Sequence, residues 1–148
     1  MSALSTMKAS TRAALRTRLW SVPGIPAVGN RKLENVELDL SALAGQTWVR
    51  EFTRFQQLVP NLIGGGGVQR YTQSGVYLVD LFFPKNTSTV LADTLEGEVL
   101  EAFAPATTLT ASQIVVLITG SSASAQQDDK DGWYFRPLMI QWECYVVQ

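Results

Sequence analysis

Three groups of residues in this chain have types that do chemistry, and each falls short on spacing. Gly64, Gly65, Gly66 and Gly67 invite a phosphate cradle. Such a cradle needs Gly-x-x-x-x-Gly-Lys-Ser/Thr between a strand and a helix. Here Val68 and Gln69 follow the glycines, and the next segment reads as a strand. Asp128, Asp129 and Asp131 resemble the start of a calcium loop, but Met139 stands where its bidentate Glu belongs. Asp80 is the one acid in the apolar run Val76 to Pro84. A catalytic Asp80 would need a second carboxylate converging on it. The other candidates, Glu51 and Glu143, lie on different expected strands.

Composition narrows the classes further. The chain has no histidine, so the side chain that titrates nearest neutrality is missing. One cysteine, Cys144, permits no internal disulfide, which fits a reducing compartment. Zinc sites of Cys and His, and nucleophilic sites with a His base, are excluded. No enzyme activity, metal or other cofactor is expected. The net charge of −1 predicts no general attraction to nucleic acid. No run approaches the roughly 18 apolar residues of a membrane span. Lys8, Arg12, Arg16 and Arg18 interrupt the N-terminal segment, so a secretory signal is not expected.

The 148 residues, 46% of them apolar, suit a single domain over 1–148. Leu4, Met7, Thr11, Ala14, Leu15 and Leu19 recur at helical spacing, which predicts a helix over 5–20. Lys8, Arg12 and Arg16 form a basic stripe on another face. Pro23, Gly24 and Pro26 end that helix. Strands are expected over 47–57 and 70–83, paired as a hairpin. A second helix is expected over 89–103, capped by Ser88 or Thr89. Its buried stripe is Leu91, Leu95, Val99 and Phe103, and Asp93, Glu96, Glu98 and Glu101 make its exposed side acidic. Gly97 costs it about 1 kcal/mol relative to Ala, a cost consistent with close packing. Two more strands are expected over 111–120 and 133–147, with Leu138, Ile140, Trp142, Cys144 and Val146 on one face of the last. Pro137 favours a bulge or an edge. Mobile loops are expected near 23–46, 58–70 and 121–132. The expected fold is α+β, an antiparallel four-stranded sheet with two helices in the order α-β-β-α-β-β.

The strand from Val76 to Phe83 is apolar on both faces, and such a strand is covered on both. Helices cover one face; the other needs a second layer or a neighbouring subunit. Asp80 within it is either satisfied inside the subunit, by backbone amides, Arg70 or Arg136, or is part of an ion pair between subunits. Residues 1–74 hold nine Lys/Arg against four Asp/Glu; residues 75–148 hold three against nine. Opposed halves of +5 and −6 read either as chance with solvated faces or as complementary surfaces that meet between copies of the chain.

The residues Trp48-Val49-Arg50, Gly64 to Gly67, Arg70-Tyr71-Thr72, Gly75, Val79 to Pro84 and Ala92-Asp93 resemble the tail terminator family of tailed phages and prophages. The motif covers about residues 8–104. Gln73 and Ser74 stand between Thr72 and Gly75, where the family runs straight on; this insertion puts the hairpin register in question. The resemblance implies a homohexameric ring that caps the tail tube and joins the tail to the head connector. The implied partners are the chain itself, the tail tube protein and the head–tail connector protein. DNA passes through the lumen only, and no membrane is involved. The implied location is the tail or neck of the virion, after assembly in the bacterial host cytoplasm. Expected partner-binding residues are Gly64, Gly65, Gly66, Gly67, Gln69, Arg70, Tyr71 and Asp80; Arg12, Arg16, Glu98 and Glu101 are candidates for charge pairing around the ring. The alternative reading from the same class is another neck protein, one that joins head to tail. A small carboxylate-dependent enzyme and a peptide-binding adaptor with an open sheet edge are the readings from other classes.

Overall fold

The computed structural model describes residues 3–61, 70–111, 113–129 and 131–147. Helix α1 spans Ala3–Trp20 and α2 spans Thr89–Ala102. The strands are β1 (Arg31–Lys32), β2 (Trp48–Asn61), β3 (Arg70–Pro84), β4 (Thr108–Ala111), β5 (Ile114–Ala123), β6 (Gln127–Asp128) and β7 (Trp133–Val147). Among the described residues these seven form one curved half-barrel sheet in the order β1-β2-β3-β7-β5-β4, with β6 also pairing β7.

The fold differs from the four-stranded antiparallel sheet that the sequence pattern predicts. The sheet is mixed, because β1 runs parallel to β2. The 23–46 segment holds β1 and a 3-10 turn, Leu40–Leu43, capped by the Asp39 side chain. The strand expected over 111–120 is β5, shifted to Ile114–Ala123, and the unexpected β4 precedes it and pairs with it antiparallel. Ala106 and Gln113 take positive φ at either side of β4, so this hairpin forms without the glycines that usually announce one. β5 runs on through Ser121 and Ser122 into the segment expected as loop, and β6 follows it.

Side chains alternate across the sheet. The inner face carries Val49, Tyr77, Val79, Leu81, Phe83, Ile114, Val116, Ile118, Leu138, Ile140, Trp142 and Cys144, all buried under the two helices. Met7, Leu15 and Leu19 from α1, and Ala92, Leu95 and Val99 from α2, fill that core. Ser88 caps α2 as expected, its oxygen accepting from the Val90 amide at 3.2 Å. Leu91 is 56% exposed, and Ala92 takes the buried position in its place. A strict four-residue step overshoots the helical turn by about 40°, so Leu91 is carried off the stripe.

Opposite Gln73 and Ser74 the hairpin carries a bulge whose extra residue lies on β2. Phe55 stands opposite Gly75 and Leu58 opposite Gln73, so Gln56 and Gln57 together face Ser74. Gly75 is required there: a Cβ would overlap the Trp142 ring and the Arg54 carbonyl oxygen. Pro137 sits in the central strand β7, where its neighbour changes from β5 to β6. Its carbonyl accepts from Ser124 on that side, so its missing N–H also faces the break between strands.

Candidate functional site

Among the described residues neither α1 nor α2 lies over the outer face of the sheet. At one end the segment Leu38 to Leu43 folds across it, enclosing Leu43, Trp48, Phe82 and Trp133. Trp48 stacks on Phe82 with ring centroids 3.8 Å apart, and Trp133 Nε1 donates to the Gln46 carbonyl at 2.9 Å.

Beyond this patch the outer face is open. Register places Phe52, Leu78, Met139 and Ser122 in one row across β2, β3, β7 and β5. Phe52 is 37% exposed and Met139 39%. The row on one side is Arg54, Val76, Gln141 and Gly120; on the other it is Arg50, Asp80 and Pro137. Further along stand Val115 and Tyr145, also exposed. The Tyr145 hydroxyl donates to Glu143 at 2.7 Å, and that bond pushes the phenol above its ordinary value. A groove of about 380 Å³ runs between Lys32 to Asn35 and the Arg50, Phe52, Arg54 and Leu78 side chains.

Asp80 is paired within the subunit, and its partner is Arg50, which faces it across β2 and β3. Nη2 and Nε of Arg50 donate to Asp80 Oδ2 at 2.7 and 3.0 Å. Arg136, one of the partners expected from sequence, instead binds Asp93 and Glu96 of α2. The Arg70 side chain lies outside the described residues, as do Gly64, Gly65, Gly66, Gly67 and Gln69. Tyr71 packs, half-buried, against the main core. Arg12 pairs with Glu34 and Arg16 with Glu51, both within the subunit. Glu98 accepts from the Gly24 amide at 3.0 Å. Glu101 is exposed and has no ion pair among the described residues.

The three carboxylates of the enzyme reading are kept apart. Glu51 is buried on the inner face, while Asp80 and Glu143 lie on the outer face. Glu143 stands opposite Ser74, six residues along β3 from Asp80, a separation of about 20 Å. The residues that sequence reasoning passed over are Phe52 and Met139. Both carry a signal: each is the apolar exception on the polar side of an alternating strand, between Arg50 and Arg54 or beside Gln141 and Glu143.

The domain has two layers, with helices on the inner face of the sheet and exposed apolar side chains on the outer face, and its likeness to known proteins places it among phage tail components. The family described as phage tail terminator protein matches residues 11–142, and the chain belongs to that family. Its place is therefore the virion tail. One solved structure shares the fold with a TM-score of 0.58 and 19% identity, over 95% of each chain. No curated protein matches the chain.

Proposed function

We propose that this chain closes a homohexameric ring on the finished end of the tail tube. One side of the ring holds the last ring of tail tube protein. The other side meets the head–tail connector protein at the neck, and DNA passes through the lumen at ejection. Assembly takes place in the bacterial host cytoplasm, with no membrane, cofactor or catalytic step.

The observation that carries this reading is the open row Phe52, Leu78 and Met139. The helices cover the inner face of the same strands, and a sheet apolar on both faces needs cover on both. Head-to-tail contacts between identical subunits provide that cover and close rings. A net charge of −1 suits a lumen to which DNA does not adhere. Gly64 to Gly67 and Gln69, with Arg70 and Tyr71 at the start of β3, are assigned to contact with the tube or connector.

Light scattering of the purified chain, with electron microscopy of tails from producing cells, tests the reading. Discrete rings, and tails of uniform capped length only when the chain is present, are expected. A monomer at all concentrations together with tails that cap normally without the chain would overturn it.

A further inference from the structure

The structure leaves a second surface without cover, and it complements the first. Helix α2 turns Val90, 68% exposed, and Leu91, 56% exposed, away from its own sheet. Thr94, Gly97 and Glu101 continue the same side at helical spacing. Gly97 weakens the helix, yet a Cβ built there meets nothing within 4 Å. Inside the subunit the glycine therefore has no packing reason. A notch between exposed Thr94 and Glu101, in line with Val90 and Leu91 farther along the helix, lets another backbone or sheet approach closely.

Among the described residues the charges left unpaired on the two surfaces are opposite in sign. The groove on the outer sheet face carries Lys32 and Arg54, neither with an acidic partner among the described residues. Arg54 lies over the Phe52 ring at 5.5 Å, so its charge stands beside the apolar row. On α2, Asp93 and Glu96 are engaged by Arg136 and Glu98 by Gly24, which leaves Glu101 as the unengaged acid. The surfaces also belong to opposite layers of the domain, since α2 covers the inner sheet face. A contact between them is head-to-tail and leaves one of each free on every pair of copies.

We infer that, in the ring proposed above and resting on that reading, the exposed face of α2 of one copy docks on the outer sheet face of the next. Val90, Leu91 and the Gly97 notch cover the Phe52, Leu78 and Met139 row, and Glu101 approaches Arg54. The occupant of the groove is a second copy of this chain. Repetition of this heterologous contact builds the ring.

Charge exchange tests it, because both residues are exposed and the variants keep the fold. Arg54→Glu and Glu101→Arg should each weaken self-association roughly tenfold in sedimentation, and the double variant should recover most of the loss. Gly97→Gln should raise the melting temperature of the monomer, by removing a helical glycine, and still weaken association. Normal rings in both single variants, or a double variant weaker than either, would overturn this contact and leave the ring itself standing. A wild-type chain that forms no ring in solution or on tail ends would overturn the ring reading, and this contact with it.

Discussion

Arg16 Nε donates to Glu51 Oε1 across 2.7 Å, and the Glu51 side chain is fully buried while Arg16 keeps 28% exposure. This pair ties α1 to β2 under the core. Among the described residues the other Glu51 oxygen, Thr53 Oγ1 and the Tyr77 hydroxyl have no hydrogen-bond partner, and Thr53 stands opposite Tyr77 across β2 and β3. Removing one member of a buried pair strands the other charge, at a cost of about 3 kcal/mol. Arg16→Ala should therefore lower stability by about that amount in urea unfolding. The double change Arg16→Met with Glu51→Leu should cost much less, because no charge is left behind. Equal losses for the single and the double variant would show that the pair contributes through packing alone.

Burial, and then the Glu51 carboxylate, push the Tyr77 phenol well above its usual value of 10.0. Burial likewise raises the Cys144 thiol above 9.0. In both cases the folded state keeps a proton that the unfolded chain gives up. The stabilisation is complete below the unfolded values and declines as pH climbs past them. Stability should thus fall above about pH 9, and more steeply above about pH 10, by up to ~1.4 kcal/mol per pH unit for each group. Tyr77→Phe should flatten the upper part of that decline and Cys144→Ala the lower part. Denaturant midpoints measured across this range decide it; an unchanged slope in Tyr77→Phe would refute the assignment.

Two glycines should behave in opposite ways. Gly75→Ala forces a methyl group into the Trp142 ring and the Arg54 carbonyl, in a strand paired on both sides. Overpacking of this kind costs roughly 1–3 kcal/mol or more, and the variant should melt far below the parent. Gly97→Ala meets open space and should gain about 1 kcal/mol. Thermal melts of the two variants under one condition give the comparison directly.

The elements that sequence periodicity revealed are those long enough to repeat it. The helices, β2, β3 and β7 each carry several turns or alternations, and β3 reads as two-faced because both faces are apolar. β1 and β6 have two residues each, and β4 four. Strands this short have no period to detect. The parallel pairing of Arg31 with Val49 is set by tertiary context that local spacing does not carry. The open row was half legible. Val76 to Phe83 announced an uncovered face, but Phe52 and Met139 joined it only through cross-strand register. The partner of Asp80 was hidden for the same reason: Arg50 is thirty residues away in sequence and directly opposite in space.

That opposition makes Asp80 the sharpest test of the outer face. Its carboxylate is 20% exposed and the Arg50 guanidinium 46%. A pair so open to water contributes about 0–1 kcal/mol to folding. Asp80→Ala should therefore shift the urea midpoint of the monomer only slightly. The same change leaves Arg50 without its acid at the rim of the row Phe52, Leu78 and Met139, where the proposed neighbour sits. An unpaired charge covered by another subunit loses its water without compensation. Ring formation should drop by roughly tenfold or more while folding is nearly unaffected. Asp80→Asn, which keeps an acceptor for Arg50, should recover part of that loss. If Asp80→Ala instead lowers folding and assembly in proportion, Asp80 belongs to the stability of the subunit and the outer face is not the meeting place of copies.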